Sequence, residues 1–343
     1  MELTPIRVRG KRRAGGELLP VIPRPKRLNR GQNQKKRPRV RRPKASNLEK
    51  SMPLEVLERI FWFSENVNFP RASPRLGRIL SGPSTLRETF LVAFGPTWEV
   101  WFGCVDGQGA HSPAIHSYFG WEKDSDRFGG NSSFQTDLLA CSWTTIDMIL
   151  DCRDIWVRRY ARTLPFEYIP LWGDPIEPSS YTGSGVTVGV SEIKEARCYF
   201  YHDYNAFRNI ELRSTCHGEP NPDTWIEVHR SAEIPDSLIT GPWDEGSLQK
   251  FFWLVQAGAR LSPNQTWEVT LEGFHNAIAD RNSPNLTVGR LLHILGAFRE
   301  WPRHIREQES RKVHVIVSNL RRCNDVTLDA RYKYVEWLLV NDS

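Results

Sequence analysis

The sequence has no run of about 18 residues apolar enough to cross a bilayer, and it does not begin with the apolar segment of a secretion signal. Its cysteines form no CxxC pair and share no short repeated spacing; they are Cys104, Cys141, Cys152, Cys198, Cys216 and Cys323. A chain of 343 residues needs no disulfide framework to fold. These absences disfavour secretion and membrane insertion, and we expect reduced, mostly buried thiols in a cytosolic or nuclear protein.

Signatures of common enzyme classes are also missing. No HExxH pair, GxSxG elbow, Walker A loop or kinase signature occurs. The GSGVTVG stretch at 183–189 contains GxG, but its glycines precede the predicted strand, so we interpret it as a loop. Cys198 and His202 lie four residues apart on a predicted helix, yet no further residue has zinc-ligand spacing. We predict no catalytic residue, no metal site and no cofactor.

Charge is distributed unevenly along the chain. The first 50 residues hold 17 Lys and Arg against three acids, a local net charge of +14, whereas residues 51–343 sum to −8. Residues 1–46 lack helical or strand periodicity and bury too little apolar surface to offset the entropy of ordering. The sequence therefore predicts a disordered basic tail followed by a mildly acidic folded body.

The tail's basic residues form clusters that are typical of nuclear import signals: Lys11, Arg12, Arg13, Lys35, Lys36, Arg37, Arg39, Arg41, Arg42 and Lys44. No aromatic residue lies among them, so any nucleic-acid contact would be a salt-sensitive contact to phosphates. Import is favoured over a nucleic-acid patch or an inert solubilising tail. We expect a nuclear or nucleocytoplasmic protein with an import receptor among its partners and no membrane partner.

The first folded element is predicted at Ser51, where Ser51-Met52-Pro53 offers a helix cap followed by a proline. Apolar residues follow at helical spacing. They form two adjacent stripes: Leu54, Leu57 and Phe61 on one, and Val56, Ile60 and Phe63 on the other. Together the stripes cover an arc of about 180°, which is wider than an ordinary surface helix needs.

The remaining pattern predicts a mainly α fold with minor β content. Helices are expected after Ser73-Pro74, after Gly82-Pro83 with a stop at Gly95-Pro96, and at 145–161, 192–208, 245–257, 287–299 and 328–340. Strand-like runs are TVGV near 187, TWIEVH near 224 and VHVIV from 313. No convincing internal repeat is evident. LVQAGARLS at 254–262 resembles the end of an ankyrin unit's second helix, but a single copy cannot stack into a solenoid.

The stretch from Met52 to Phe90 resembles the F-box. In that family a Leu-Pro pair, an acid two positions on and an apolar-rich helix are followed by two further helices. Here Met52-Pro53 stands for the pair and Glu55 for the acid. The family's later Val-Ser-x-x-Trp signature is missing, and ASPRL at 72–76 stands near its place. The whole chain is similar to a fungal group of F-box-domain proteins, which share the phrases GPTWEVWFG and GPWDEGSLQKFFWLVQAGARLSP.

The resemblance implies a non-catalytic adaptor of an SCF-type ubiquitin ligase. The F-box would dock on the small linker subunit, and through it on the cullin, while the rest of the chain holds a substrate protein. This implies a tail at 1–46, a three-helix F-box-like domain at 51–95 and a larger helical substrate-recognition body at 97–343. The residues implied in docking are Met52, Pro53, Leu54, Leu57, Ile60, Phe61 and Phe63.

The size of the three-helix unit is consistent with a docking role. A three-helix unit of this size has little core of its own, so one apolar stripe would pack inside the unit and the other on a partner. Plain core packing of both stripes is the alternative. Two other functions stay open: a nuclear nucleic-acid or chromatin binder acting through the tail, and an enzyme housed in the body. The thirteen tryptophans, spread from Trp62 to Trp337, are more simply core residues than a recognition surface.

Overall fold

The structure is a computed structural model, which describes residues 51–101, 129–161, 196–209, 227–323 and 325–340. These residues belong to one unit that spans 47–343. In the described ranges the protein is mainly helical, as predicted. The predicted tail and its basic clusters lie outside them.

Twelve α-helices are present in the described residues. They are α1 (Leu54–Ser64), α2 (Pro74–Leu80), α3 (Pro83–Trp101), α4 (Ser132–Leu139), α5 (Ile146–Tyr160), α6 (Ala196–Asn209), α7 (Asp236–Thr240), α8 (Glu245–Gln256), α9 (Trp267–Ala277), α10 (Leu286–Ile294), α11 (Arg303–Arg322) and α12 (Val326–Val340). A short 3₁₀ helix, Phe69–Ala72, joins α1 to α2.

Several helices begin at a residue whose side chain caps the first turn. Ser73 caps α2, because its side chain accepts a hydrogen bond from the Leu76 N–H, and Pro74 occupies the first helical position. The expectation for α1 was wrong in one respect. Pro53, not Ser51, stands at the N-cap position, and no side chain caps this helix. Helix α1 ends at Glu65, which adopts a left-handed conformation with φ 49°.

The predicted stop at Gly95-Pro96 is wrong, because α3 continues through Pro96 to Trp101. Proline lacks the N–H that would bond to the carbonyl of Val92, but Val92 is exposed and water can replace that bond. Buried aromatic rings on both sides of the proline hold the helix together; they belong to Phe90, Phe94 and Trp98. The predicted boundary between 95 and 97 therefore falls inside a helix.

The VHVIV run from 313 is helical and not a strand. It lies inside α11, where Val313 and Val317 are fully buried one helical turn apart. Of TWIEVH, residues 227–229 are described, and they form no strand: the Glu227 and Val228 N–H groups both bond to the Ala257 carbonyl. A single parallel bridge, Glu233 to Arg260, is the β pairing found in the described residues. TVGV near 187 lies outside them.

The other predicted helices are present with shifted ends. Helices α5, α8 and α12 match their predicted ranges to within two residues. Helix α6 begins in the described residues at Ala196, and residues 192–195 lie outside them. Helix α10 ends at Ile294 instead of 299, because Gly296 adopts φ 67° and turns the chain.

Two consecutive helix pairs stack side by side, an internal repeat that the sequence did not reveal. Helix α7 packs on α9, and α8 packs on α10. The second helix of each pair ends in the same way, 38 residues apart, with a positive-φ glycine: Gly258 and Gly296. The next residue of each, Ala259 and Ala297, donates to the carbonyl five positions back. Helix α12 then packs on α10 and pairs with α11.

One large apolar core runs from α3 through α12. Among its tryptophans, Trp98, Trp156, Trp253 and Trp301 are buried, which confirms the core interpretation for these four. Trp337 is 38% exposed. The free cysteines in the described residues are Cys141, which is half-buried, Cys152, which is buried, and Cys323, which is exposed.

Candidate partner-docking surface

Helices α1 and α2 share a small core that is separate from the large one. It consists of four buried side chains, with Met52, Trp62, Phe69 and Ile79 packed around them: Leu57, Phe61, Leu76 and Leu80. The rings of Phe61 and Phe69 stack at 6.2 Å. Burial of each of the four stabilises the unit by about 1.5–3 kcal/mol, which is small beside the entropy of ordering roughly fifty residues.

Polar contacts fix this small core to the body. Thr85 Oγ1 at the start of α3 donates to Glu58 Oε1 on α1 at 2.6 Å. The Asn131 side chain, just before α4, donates to Glu65 Oε2, also at 2.6 Å. Helix α3 continues from the small unit into the large core, where Phe94 and Trp98 are fully buried. The orientation of α1 is therefore set by both neighbours.

The adjacent face of α1 carries an apolar stripe that nothing in the described residues covers completely. Phe63 is 82% exposed, Val56 is 39% exposed and Ile60 is partly exposed. The three positions follow i, i+4 and i+7 spacing, so they line one face of the helix. We call them the α1 outer stripe. Exposed Arg59 lies beside it, exposed Pro53 precedes the helix, and exposed Leu54 lies on the stripe of Leu57 and Phe61.

The seven residues implied in docking separate into two groups. Leu57 and Phe61 lie in the small core at 3% and 2% exposure, so they support the surface from beneath and do not form it. Met52 is partly buried against the same core. Pro53, Leu54, Ile60 and Phe63 remain accessible, and Val56, which was not in the docking set, joins them. The sequence indicates this, because Val56 lies four residues before Ile60 and seven before Phe63 and therefore on the same face of the helix.

A buried polar cluster in the body joins Arg153 and Glu227. Arg153 Nη1 on α5 lies 3.0 Å from Glu227 Oε1, and the Trp253 indole N–H donates to the second carboxylate oxygen at 3.2 Å. The Trp98 indole N–H donates to the Glu227 carbonyl. The cavity beside this cluster holds about 20 Å³, enough for one water molecule. The cluster therefore joins α3, α5 and α8, and among the described residues the cavity beside it is too small for a substrate.

A buried lysine is the most perturbed cation in the described residues. Lys250 on α8 is 8% exposed, and its Nζ donates to the Leu139 carbonyl at the end of α4 at 2.7 Å. Burial lowers its pKa from 10.5 to about 8, and the neighbouring Cys141 opposes part of that shift. Burial raises the pKa of the Cys152 thiol to about 12. Both shifts arise from desolvation in a packed core.

Comparison with protein-family models, curated proteins and solved structures finds no match. The geometry of the chain's own residues therefore carries the functional argument.

In the residues that the structure describes, no group of three or more His, Cys, Asp or Glu side chains could hold a metal ion. His202 is half-buried on α6. Cys198 belongs to the same helix, but its side chain is not among those that the structure describes. No helix in the described ranges is long and apolar enough to span a membrane. The predicted import cluster, from Lys11 to Lys44, also lies outside the described residues.

Proposed function

We propose that the chain is a non-catalytic adaptor of a ubiquitin ligase, which docks on the ligase's linker subunit through α1 and presents a substrate protein held by the body. The observation that carries this proposal is the division of α1 into two apolar stripes. Leu57 and Phe61 fill the small core, while the α1 outer stripe faces outwards with Phe63 82% exposed.

Exposure of this stripe has a cost that a partner would remove. Water contact with a phenylalanine and two branched aliphatic side chains is unfavourable by about 25 cal/mol for each Å² of apolar surface. Contiguous apolar surface of this kind marks protein–protein contact sites. The small size of the core beneath it favours stabilisation by an external surface.

The capture of purified linker subunit tests the proposal. We expect wild-type protein to bind it, and Phe63→Asp to weaken binding by roughly tenfold or more, because a central aromatic anchor typically contributes about 2 kcal/mol or more. Ile60→Asp is expected to act in the same direction. Phe63 is so exposed that its replacement leaves the fold intact, which a thermal melt verifies.

A matched control comes from α11. Val315 is also a solvent-exposed apolar residue, at 58%, but it lies far along the chain from α1. Val315→Asp should bind the linker subunit as tightly as wild type does. Equal binding by wild type and Phe63→Asp, or equal loss from both aspartate variants, would show that the α1 outer stripe is not the docking site.

A second candidate is a nuclear nucleic-acid or chromatin binder, favoured by the 17 basic residues among the first 50. Deletion of residues 1–46 separates the two. An adaptor that lacks the tail still binds the linker subunit and loses only its nuclear import. A nucleic-acid binder loses a salt-dependent affinity for duplex DNA, since that affinity arises from neutralised phosphates.

A further inference from the structure

Helix α12 carries apolar side chains on its outer face as well as on the face that packs into the large core. Val326 is 77% exposed, Val340 is 54% exposed and Trp337 is 38% exposed. Half-buried Ala330 and exposed Lys333 lie between them. The five positions follow alternating steps of four and three residues, so they line one face of the helix. We call them the α12 outer stripe.

The spacing of this stripe is that of a seam between packed helices. Alternating steps of four and three keep a row of side chains against one partner helix. From Val326 to Val340 the row is about 21 Å long, or about four helical turns. Lys333 is the one charged member, and its ion pair with Asp329 balances its charge within the helix. A single polar position in such a seam selects the partner at a cost in affinity.

Helix α11 borders this stripe and is basic. It holds six Lys and Arg against two Glu, a net charge of +4, whereas residues 51–343 sum to −8. Two polar contacts join its edge to α12: His314 Nδ1 lies 2.7 Å from Glu336 Oε1, and Arg321 Nε lies 3.4 Å from Asp329 Oδ1. The outer faces of the two helices therefore meet along this line.

The arginines on the α12 side of α11 are exposed, and we call them the α11 basic border: Arg303, Arg311, Arg321 and Arg322. Arg303 and Arg311, at 86% and 76% exposure, share the single carboxylate of Glu307. Exposed ion pairs of this kind contribute about 0–1 kcal/mol, so a partner can replace them. An open groove of about 400 Å³ lies where the border meets the stripe, and it is lined by Arg306, Glu307, Ser310, Arg311, Leu339 and Val340.

We propose that the α12 outer stripe and the α11 basic border together bind an amphipathic helix of a partner protein, whose apolar ridge is flanked by acidic side chains. Apolar burial along the stripe supplies affinity, and the arginines select the acidic flank and fix its orientation. Under the proposed adaptor function this helix belongs to the substrate, and in that respect the inference rests on the proposed function. The surface itself is separate from α1.

A second copy of this chain is a poor occupant for the same surface. In a two-fold symmetric contact each patch meets its own image, so the two basic borders approach each other. Lys333 lies midway between Val326 and Val340, so antiparallel pairing about the middle of the stripe also sets lysine against lysine. Like charges in contact oppose association. An anionic bilayer suits the border, but membrane-surface helices present bulkier apolar faces than two valines, an alanine and one tryptophan.

The test measures binding of the full chain to two labelled peptides by fluorescence anisotropy. Each peptide has three heptads with Leu at positions a and d; one carries Glu at e and g, and the other carries Lys. We expect the Glu peptide to bind about tenfold more tightly, or better, because of the basic border. The double variant Val326→Asp, Val340→Asp should bind it about tenfold more weakly. Both valines are exposed, so the fold persists, which a thermal melt verifies.

Charge reversal separates this surface from the basic N-terminal residues, which also attract an acidic peptide. The double variant Arg311→Glu, Arg322→Glu leaves residues 1–50 unchanged, and we expect it to prefer the Lys peptide over the Glu peptide. Phe63→Asp, on the α1 outer stripe, is the matched control and should bind the Glu peptide as wild type does.

Several outcomes overturn the inference: no binding of either peptide, equal binding of both, or a preference that the two double variants leave unchanged. Dimerisation of the free chain in sedimentation, abolished by Val326→Asp with Val340→Asp, would assign the surface to a second copy instead. Binding to vesicles of anionic lipid and to neither peptide would assign it to a membrane. Failure of linker-subunit capture with peptide binding intact overturns the adaptor function and leaves the peptide-binding surface in place.

Discussion

At the scale of single residues, Gly273 limits how closely two helices approach. A Cβ built on Gly273 of α9 would lie 2.3 Å from the Ile239 carbonyl oxygen of α7, a backbone atom that cannot move aside cheaply. We expect Gly273→Ala to lower the free energy of unfolding by about 1–3 kcal/mol, the usual cost of overpacking. Urea denaturation measures the change.

Gly289 on α10 provides the matched control for that substitution. A Cβ there would meet Leu338 Cδ1 at 3.5 Å, an ordinary van der Waals contact. Gly289→Ala should leave stability unchanged or raise it by up to about 1 kcal/mol, since alanine favours the helix over glycine. If both substitutions destabilise the protein equally, the close approach of α7 and α9 is not what Gly273 provides.

Lys250 predicts a pH dependence of stability. Its pKa falls from 10.5 to about 8 on folding because it is buried, so between these values the unfolded chain binds a proton that the folded protein does not. Stability contributed at this site therefore rises with pH across that window. Relative to Lys250→Met, the wild type should gain up to about 3 kcal/mol between pH 8 and 10.5.

Urea denaturation of wild type and Lys250→Met at several pH values checks this. The difference between the two proteins isolates Lys250 from other groups that titrate in alkali, such as Cys152, whose raised pKa has the opposite effect on stability. Two curves that run parallel from pH 8 to 10.5 would contradict the prediction.

At the scale of helices, the sequence predicts elements whose signals are local. The Ser73-Pro74 start of α2 and the two stripes of α1 depend on neighbouring residues, and the structure has both. The predicted helix stop at Pro96 and the predicted strand at VHVIV are wrong, because burial decides the secondary structure of both segments. Aromatic packing carries α3 through its proline, and the buried faces of Val313 and Val317 favour a helix over a strand.

The separation of the two cores predicts local unfolding. Leu80 is fully buried in the small core, so Leu80→Ala should destabilise that core by about 2–5 kcal/mol. Amide hydrogen exchange should then speed up across residues 54–80, while residues 245–294 keep their protection.

Leu292→Ala serves as the counterpart, because Leu292 is equally buried but lies in the large core. It should speed exchange in residues 245–294 instead. A uniform loss of protection in both variants would mean that the two cores unfold as one unit.

At the scale of the whole molecule, the sequence predicts the fold class and a helix that begins near Pro53, but it does not predict the stacked helix pairs. The repeat is carried by a few buried positions and by Gly258 and Gly296, which are too sparse to register as repeated sequence. The spacing of the apolar residues in α1 does not show which of its two stripes is covered. The structure shows it, because Leu76 and Leu80 of α2 pack on Leu57 and Phe61.

The most direct test of the account is hydrogen exchange on the full chain with and without purified linker subunit. We predict slower exchange across Leu54–Ser64 when the subunit is present, and no change across Val326–Val340, where Trp337 and Val340 are also exposed. Unchanged exchange in Leu54–Ser64 at saturating linker subunit would contradict the central claim that α1 is the docking helix.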